Sequence, residues 1–366
     1  MAILRKKPSK LPRRLAWPLA LALVLFLAGL GGLWWHHNSL EKVNLPPSDP
    51  SVAAKKNSLP SEAGKTFQTP ANLAKPLEPL VVPPERGVLA AQVALMRHGI
   101  SAGSLDGVIG SQTRAALAAF QRRANLPVTA TLDAETKEKL QLTAPLLTDY
   151  TVTTGDLARL QPLGKTWLEK SQQSALDYET VLELVAEKAH AHPLLIQKLN
   201  PGVDWESVAA ETVLKIPSAA FPEPAEKAAF VVIHLAEKNL EAFDAATNLI
   251  LHCPCSIAAK VEKRPVGELH VAVVAPNPNY TFDPAVFPES PEAQAIGHKI
   301  ILPPGPNNPV GVAWIGLDKP GYGMHGTPGP EQVGRTESHG CFRLANWNAE
   351  FLLKLVWIGM PVRVEP

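Results

Sequence analysis

The pattern of apolar and polar positions divides the chain into stretches that obey different periods. Leu15 to Trp35 is an uncharged apolar run, rich in Leu, Ala and Val and closed by Trp34-Trp35. Its length of about twenty residues matches a membrane-spanning helix, and paired tryptophans suit a membrane–water interface. Residues 36–84 show no sustained apolar period and are rich in Pro, Ser, Ala and Lys, which predicts a polyproline-II or disordered tether. From Val88 to Leu140 the spacing becomes helical in three pieces. Leu89, Val93, Leu95 and Met96 make a stripe that ends at Gly99, Thr113 to Gln121 a second helix, and Leu132, Thr136 and Leu140 a third. Ser111 is the expected N-cap of the second helix.

Tyr150 to Pro217 reads strand, helix, helix, strand. A helix over Tyr178–Ala191 carries Val181, Leu182, Leu184 and Val185 on one side, and Val213 to Pro217 closes the unit. Beyond residue 228 the period is mostly two. Ala229–Leu235, a turn at Glu237-Lys238-Asn239 and Leu240–Phe243 predict a β-hairpin. Leu249–Ile257, Glu268–Ala275, Val310–Leu317 and Pro361–Val364 predict further strands. One helix stands among them, N-capped by Asn346, with Trp347, Phe351, Leu352, Leu355 and Val356 on one face. A mostly-β domain with one packed helix is expected here.

Composition sharpens this picture in three places. The 366 residues balance 35 Lys and Arg against 34 Asp and Glu, so there is no general positive field to attract a nucleic acid. The balance hides Arg5, Lys6, Lys7, Lys10, Arg13 and Arg14, all ahead of the apolar run. By the positive-inside rule this basic segment (1–14) stays in the cytoplasm and everything after Trp35 lies outside. An uncleaved anchor over 15–35 is preferred to a signal peptide, because bulky Leu33, Trp34 and Trp35 follow the small residues Ala28-Gly29-Leu30-Gly31. The three cysteines are Cys253, Cys255 and Cys341. The first two stand at i and i+2, on opposite faces of a strand, where they cannot bridge without distortion.

Chemistry concentrates near the C-terminus, in Met324-His325-Gly326-Thr327 and Ser338-His339-Gly340-Cys341-Phe342-Arg343. A free thiol is only a few per cent ionised near neutral pH, so a nucleophilic cysteine needs an imidazole to take its proton. Glycine beside it frees space for an incoming carbonyl and backbone N–H groups for an oxyanion. Either His325 or His339 could be the base. His325, His339 and Cys341 could also bind zinc, but no carboxylate-bearing metal motif accompanies them; no metal or cofactor is expected.

His-Gly-Thr followed by Ser-His-Gly-Cys-Phe-Arg resembles the L,D-transpeptidase (YkuD-type) catalytic domain. The likeness extends to Pro265-Val266-Gly267, to Pro304–Gly311 and to Trp314-Ile315-Gly316-Leu317, and covers residues 228–366. Asp106-Gly107, Gly110, Thr113 and Phe120-Gln121 resemble the helical peptidoglycan-binding domain (85–142). Leu199-Asn200-Pro201 ahead of Val213–Pro217 resembles a LysM module (149–218), from which it departs by a long stretch over Leu160–Asp177 and by Glu211-Thr212 in place of a glycine.

These resemblances imply a multidomain protein: an all-α peptidoglycan-binding domain, an α+β LysM-like module and a mostly-β catalytic domain with a packed helix, behind an N-terminal transmembrane helix. They imply Cys341 as nucleophile, His325 as base, and His339 shaping the site. Gly340 and the Cys341 backbone N–H would hold the oxyanion, with Tyr322 as a further donor. Arg343 would meet a substrate carboxylate or brace the loop, while Ser338, Gly326 and Thr327 support it. The implied reaction forms a thioester on Cys341 from a peptidoglycan tetrapeptide stem. An amine then resolves it, giving 3-3 cross-links or attached acceptors in cell-wall biogenesis and cell shape. The implied location is the bacterial envelope, with the catalytic domain in the periplasm. A cysteine peptidase or carboxypeptidase acting on the same stem, and a non-catalytic wall anchor, are the alternatives.

Overall fold

The first described module is a three-helix unit, α1 (Arg86–Arg97), α2 (Ser111–Arg123) and α3 (Ala134–Leu140). The structure is a computed structural model, and it describes residues 86–141, 145–336, 338 and 340–366. The expected basic segment, membrane helix and Pro-rich linker lie outside the described residues. Among the described residues no helix is long and apolar enough to cross a membrane. The N-cap of α2 is Gly110, without a side-chain bond, and not Ser111, which is already helical. Asp133 caps α3 in the usual way, accepting from the Thr136 N–H.

The second module contains β1 (Leu147–Thr151), α4 (Thr154–Ala158), α5 (Trp167–Ser171), α6 (Val181–Lys188), α7 (Pro193–Leu199) and β2 (Val213–Pro217). β1 and β2 pair antiparallel from Leu147↔Pro217 to Thr151↔Val213. The strand–helix–helix–strand order is therefore present, with α4 added ahead of the long stretch over Leu160–Asp177 and α5 inside it.

The third module supplies β3 (Phe230–His234), β4 (Asn239–Phe243), β5 (Leu249–Pro254), β6 (Gly267–Pro276), β7 (Tyr280–Phe282), α8 (Pro291–Ile296), β8 (Ile300–Leu302), β9 (Ala313–Leu317), β10 (Gly323–His325), β11 (Phe342–Arg343), α9 (Asn346–Leu355) and β12 (Pro361–Glu365). Eight of these strands form one sheet, in the order β11-β10-β9-β6-β12-β3-β4-β5. Both outer edges of that sheet meet. The chain leaving β5 bonds to the β11 region through Ser256 N–H to Arg343 O (2.9 Å) and Arg343 N–H to Ser256 O (3.0 Å). The same chain bonds through Ser338 N–H to Ile257 O (2.8 Å). The sheet thus closes on itself, which satisfies backbone groups that an open edge would leave unpaired. The hairpin β7–β8 and helix α8 form a side wall outside this sheet.

The core of the third module gathers Val231, Ile233, Leu251, Val271, Ile315, Met324, Phe342, Leu352 and Val362, with Cys253 and Cys255 fully buried among them. Burial pushes the Cys255 thiol well above its ordinary value, beyond ionisation at neutral pH, and does the same for Cys253.

The three modules pack on one another within one compact unit. Leu89, Val93 and Met96 of α1 share a core with Val185, Ile196 and Leu214 of the second module and with Trp347 of α9. The other side of α1, with Ala91 and Leu95, packs on α2 and α3 and reaches Leu249 of β5.

Candidate active site

β10 and β11 run parallel, with Met324 opposite Phe342 and His325 opposite Arg343. Paired residues point to the same face, and side chains alternate along a strand. His325, Arg343 and Cys341 therefore share one face, while Met324 and Phe342 enter the core. The Cys341 segment is pinned on both sides by the bonds of Ser338 and Arg343 to the chain after β5. Ser338 Oγ also donates to the Cys341 carbonyl (2.5 Å) and accepts from the Gly340 N–H (3.2 Å).

This face opens on a cavity of about 380 Å³. His325, Ser338, Gly340, Cys341 and Arg343 line it, together with Trp167, Tyr280, Phe287 and Trp314. Tyr322 is not among the lining residues. Its ring lies near Gly340, 3.9 Å from where a Cβ there would stand, and Lys319 sits over it at 5.0 Å. His339 lies outside the described residues.

The imidazole of His325 is buried and stacked against Trp314, with ring centroids 5.6 Å apart. Its Nδ1 lies 2.6 Å from the Gly326 carbonyl. A carbonyl only accepts, so Nδ1 carries the hydrogen and the neutral ring keeps its lone pair on Nε2. Burial pulls the His325 pKa down to about 4; the Gly326 bond works against this, and the Arg343 guanidinium assists it. The ring is thus neutral at physiological pH.

The Cys341 thiol is half-buried and lies 3.4 Å from the Gly321 carbonyl. Burial raises its pKa, offset by the Gly323 N–H and by the positive charge of Arg343. The two shifts together favour a neutral thiol beside a neutral imidazole over a preformed ion pair. Such a pair transfers its proton as the sulfur attacks, and it needs charge stabilisation at that moment.

One residue organises the His-Gly-Thr turn. Asn346 is the first residue of α9, whose N-cap is Ala345, so the expected capping role is corrected. Its Oδ1 accepts from the Thr327 N–H (3.1 Å) and the Val312 N–H (3.3 Å). A Cβ on Gly311 or Gly326 would stand 2.0 or 2.2 Å from that oxygen, so both positions must be glycine for the amide to enter. The Asn346 Nδ2 donates to both carboxylate oxygens of Glu187 on α6 (3.1 and 3.0 Å) and to the Pro306 carbonyl (3.2 Å). Burial raises the Glu187 pKa to about 7, against the hydrogen bonds from Asn346 and Tyr178. Neither Asn346 nor Glu187 carries a motif signal. Trp167 and Tyr280 were equally silent, because only the fold brings them to the cavity, and Trp314 was legible only as part of the strand Trp314-Ile315-Gly316-Leu317.

A thiol and a neutral imidazole on one face of a closed sheet, lining one cavity, are the groups that acyl transfer through a thiol would use. Comparison with known proteins places it further. Residues 228–364 match the YkuD family, described as "L,D-transpeptidase catalytic domain", and residues 85–140 match a "Putative peptidoglycan binding domain". Residues 228–364 are therefore similar to L,D-transpeptidase catalytic domains of the YkuD family, and residues 85–140 to domains of the peptidoglycan-binding family.

Among curated relatives, "Probable L,D-transpeptidase YbiS" of Escherichia coli K12 is 29% identical over 171 residues, covering 46% of this chain and 54% of the relative. "Putative L,D-transpeptidase YkuD" of Bacillus licheniformis is 24% identical over 188 residues, covering 51% of this chain and 94% of the relative. The chain thus spans about half the length of the Escherichia coli relative it matches. A crystal structure of the L,D-transpeptidase from Xylanimonas cellulosilytica aligns over 76% of this chain and 92% of its own, at 14% identity and a TM-score of 0.33.

Proposed function

We propose that the chain is an L,D-transpeptidase acting on peptidoglycan stem peptides through a thioester on Cys341. The observation that carries this reading is the His325 Nδ1 bond to the Gly326 carbonyl, at 2.6 Å. It directs the free lone pair, on Nε2, into the face shared with Cys341. His325 takes the thiol proton as the sulfur adds to the carbonyl carbon of the residue preceding the terminal D-alanine. The tetrahedral oxyanion meets backbone N–H groups of the Gly340-Cys341 segment. The Gly340 N–H first gives up its bond to Ser338 Oγ. The C–N bond then breaks, D-alanine leaves with the proton returned by His325, and the thioester remains. An acceptor amine attacks it, passes its proton to His325 and restores the thiol.

The other assignments complete this reading. His339 shapes the site beside Cys341, Arg343 faces the substrate from the cavity wall, and Thr327 and Gly326 hold the base in place. Tyr322 supports Gly340 in preference to donating to substrate. The helical module and the LysM-like module bring the enzyme to the wall. The apolar run at 15–35 holds it at the inner membrane with its catalytic domain in the periplasm.

The test is acylation of the full chain by a disaccharide-tetrapeptide, read by intact-protein mass spectrometry. An adduct of the donor minus D-alanine is expected on the protein and none on Cys341→Ala. An adduct that survives that substitution would sink the reading. Supplying amines or water as acceptor in the same assay separates transpeptidase from carboxypeptidase.

A further inference from the structure

The long stretch that sets the second module apart from its family pattern ends at the catalytic cavity. Within it, Thr166 and Glu169 close a capping box, with Glu169 N–H to Thr166 Oγ1 at 3.1 Å and Thr166 N–H to Glu169 Oε2 at 3.0 Å. That box nucleates α5, a single short helix with no buried residue in its own module. Such a helix has no core of its own to serve, so its position is set by what lies across from it. Trp167, its first residue, leaves the module and stacks on Phe282 of β7, with centroids 4.7 Å apart and planes 18° apart. Tyr280 and Phe287 stand at 6.3 and 6.4 Å.

The segment is held at both ends. The Trp167 backbone N–H donates to the Glu292 carboxylate on α8. On the return, Leu176 N–H donates to the Pro304 carbonyl (2.8 Å) and Asn307 N–H to the Leu176 carbonyl (2.9 Å). The side chain of Leu176 is fully buried with Phe282, Ala293 and Leu302. Gly305 admits this approach, since a Cβ there would stand 2.1 Å from the Leu176 oxygen. A surface connection that crosses to another module, docks by backbone bonds and places an indole on the rim of the thiol cavity is a built part of that cavity.

We propose that Trp167, supplied by the second module, is a specificity-determining residue of the acyl-donor site. With Tyr280 and Phe287 it forms an apolar wall for an aliphatic side chain of the donor peptide near the scissile bond. The inference rests on the transpeptidase reading and adds to it a donor-site residue supplied from outside the catalytic domain. Methylene groups bury against aromatic rings without desolvating charge, whereas a short or acidic side chain at that place gains nothing from the wall. The side chain of a long α,ω-diamino acid is the fitting class, its methylenes on the wall and its charged end beyond it.

The experiment uses the full chain with Trp167→Ala and Trp167→Phe, and measures acylation kinetics with a diaminopimelate-containing disaccharide-tetrapeptide. Alkylation of Cys341 by iodoacetamide, which needs no wall, is followed in parallel. For Trp167→Ala the KM should rise about tenfold with kcat within about threefold, the loss expected when one aromatic contact is removed. Trp167→Phe should restore most of it, and iodoacetamide should react at the same rate in all three proteins. An unchanged KM, a loss confined to kcat, or a loss that Phe fails to rescue and that alkylation shares, would each overturn the proposal. If the wild-type chain forms no adduct, the transpeptidase reading fails on its own. Calorimetric binding of the same peptide to Cys341→Ala and to Cys341→Ala/Trp167→Ala then decides the wall separately. About tenfold weaker binding in the double variant supports it; equal or absent binding in both overturns it.

Discussion

The first and second modules both dock on the catalytic domain, but by different chemistry and at different places. The helical module meets β4 and β5 mainly through backbone bonds and one ion pair with a buried carboxylate. Ser101 N–H donates to the His252 carbonyl (2.8 Å), His252 N–H to the Gly99 carbonyl (3.0 Å), and Arg122 pairs with Glu241 at 2.5 Å. Gly99 permits that contact, because a Cβ on it would stand 2.2 Å from the Ile250 oxygen. The second module instead joins the site itself, through Glu187 on Asn346 and through Trp167 on the cavity rim. The first seam fixes where the helical module sits. The second helps to build the catalytic geometry.

The largest expected effect is at the second seam. Asn346→Ala removes the acceptor that holds the Thr327 and Val312 N–H groups and the donor that bonds both Glu187 carboxyl oxygens. The Gly326 carbonyl, which orients His325, loses its support. A displacement of the base by about an ångström costs on the order of a hundredfold in rate. Acylation of Cys341 should therefore slow by about that factor, followed by mass spectrometry over time, while the fold persists by circular dichroism. A rate within about threefold of wild type would sever the seam from the chemistry.

How much of this was legible in the sequence depends on whether a residue acts through its neighbours in the chain. The hairpin β3–β4, strands β5, β6, β9 and β12 and helix α9 fall where period and punctuation predict them, since each buries a face its own pattern defines. The His325 and Cys341 segments read from composition, because adjacent glycines and histidines are a local signal. The β7–β8 wall and α8 did not read at all. Their core joins Phe282 and Ile300 to Leu176, which lies more than a hundred positions earlier in the chain. Asn346 shows the limit best. Its place before an apolar helix face looks like a cap, and the fold spends its amide on the loop and Glu187. The long Leu160–Asp177 stretch was visible only as a departure from pattern, and its purpose lay in a partner surface.

Glu187 offers a subtler probe of the same seam. Its pKa rises from the ordinary carboxylate value to about 7 in the folded protein, through burial. The folded state then keeps a proton that the unfolded chain releases near pH 4.5, so this contribution is fully present below that pH. It is lost as pH rises through about 7. Glu187→Gln, which stays neutral and still accepts from Asn346, should match wild type at pH 4.5 or below. Above pH 7 it should be more stable by about 1 to 3 kcal/mol. Denaturant unfolding at the two pH values measures this difference. Parallel curves for the two proteins across that range would mean that water reaches Glu187 and that the seam is open.

The smallest effect is expected at the first seam, and it closes the comparison. Burial alone would raise the Glu241 pKa, but His234, His252 and Arg122 hold the carboxyl well below the usual range. Removing Arg122 leaves both histidines in place, at 3.4 Å for His234 and 3.0 Å for His252. The Arg122 side chain is half exposed, so solvent already screens its charge. Arg122→Ala should therefore cost under about 1 kcal/mol of stability, by thermal or urea unfolding. It should leave the acylation rate of Cys341 within a factor of about two, because no bond from Arg122 reaches the β10–β11 face. A drop in acylation of tenfold or more would show that the helical module also shapes the site, and the distinction between the seams would fall.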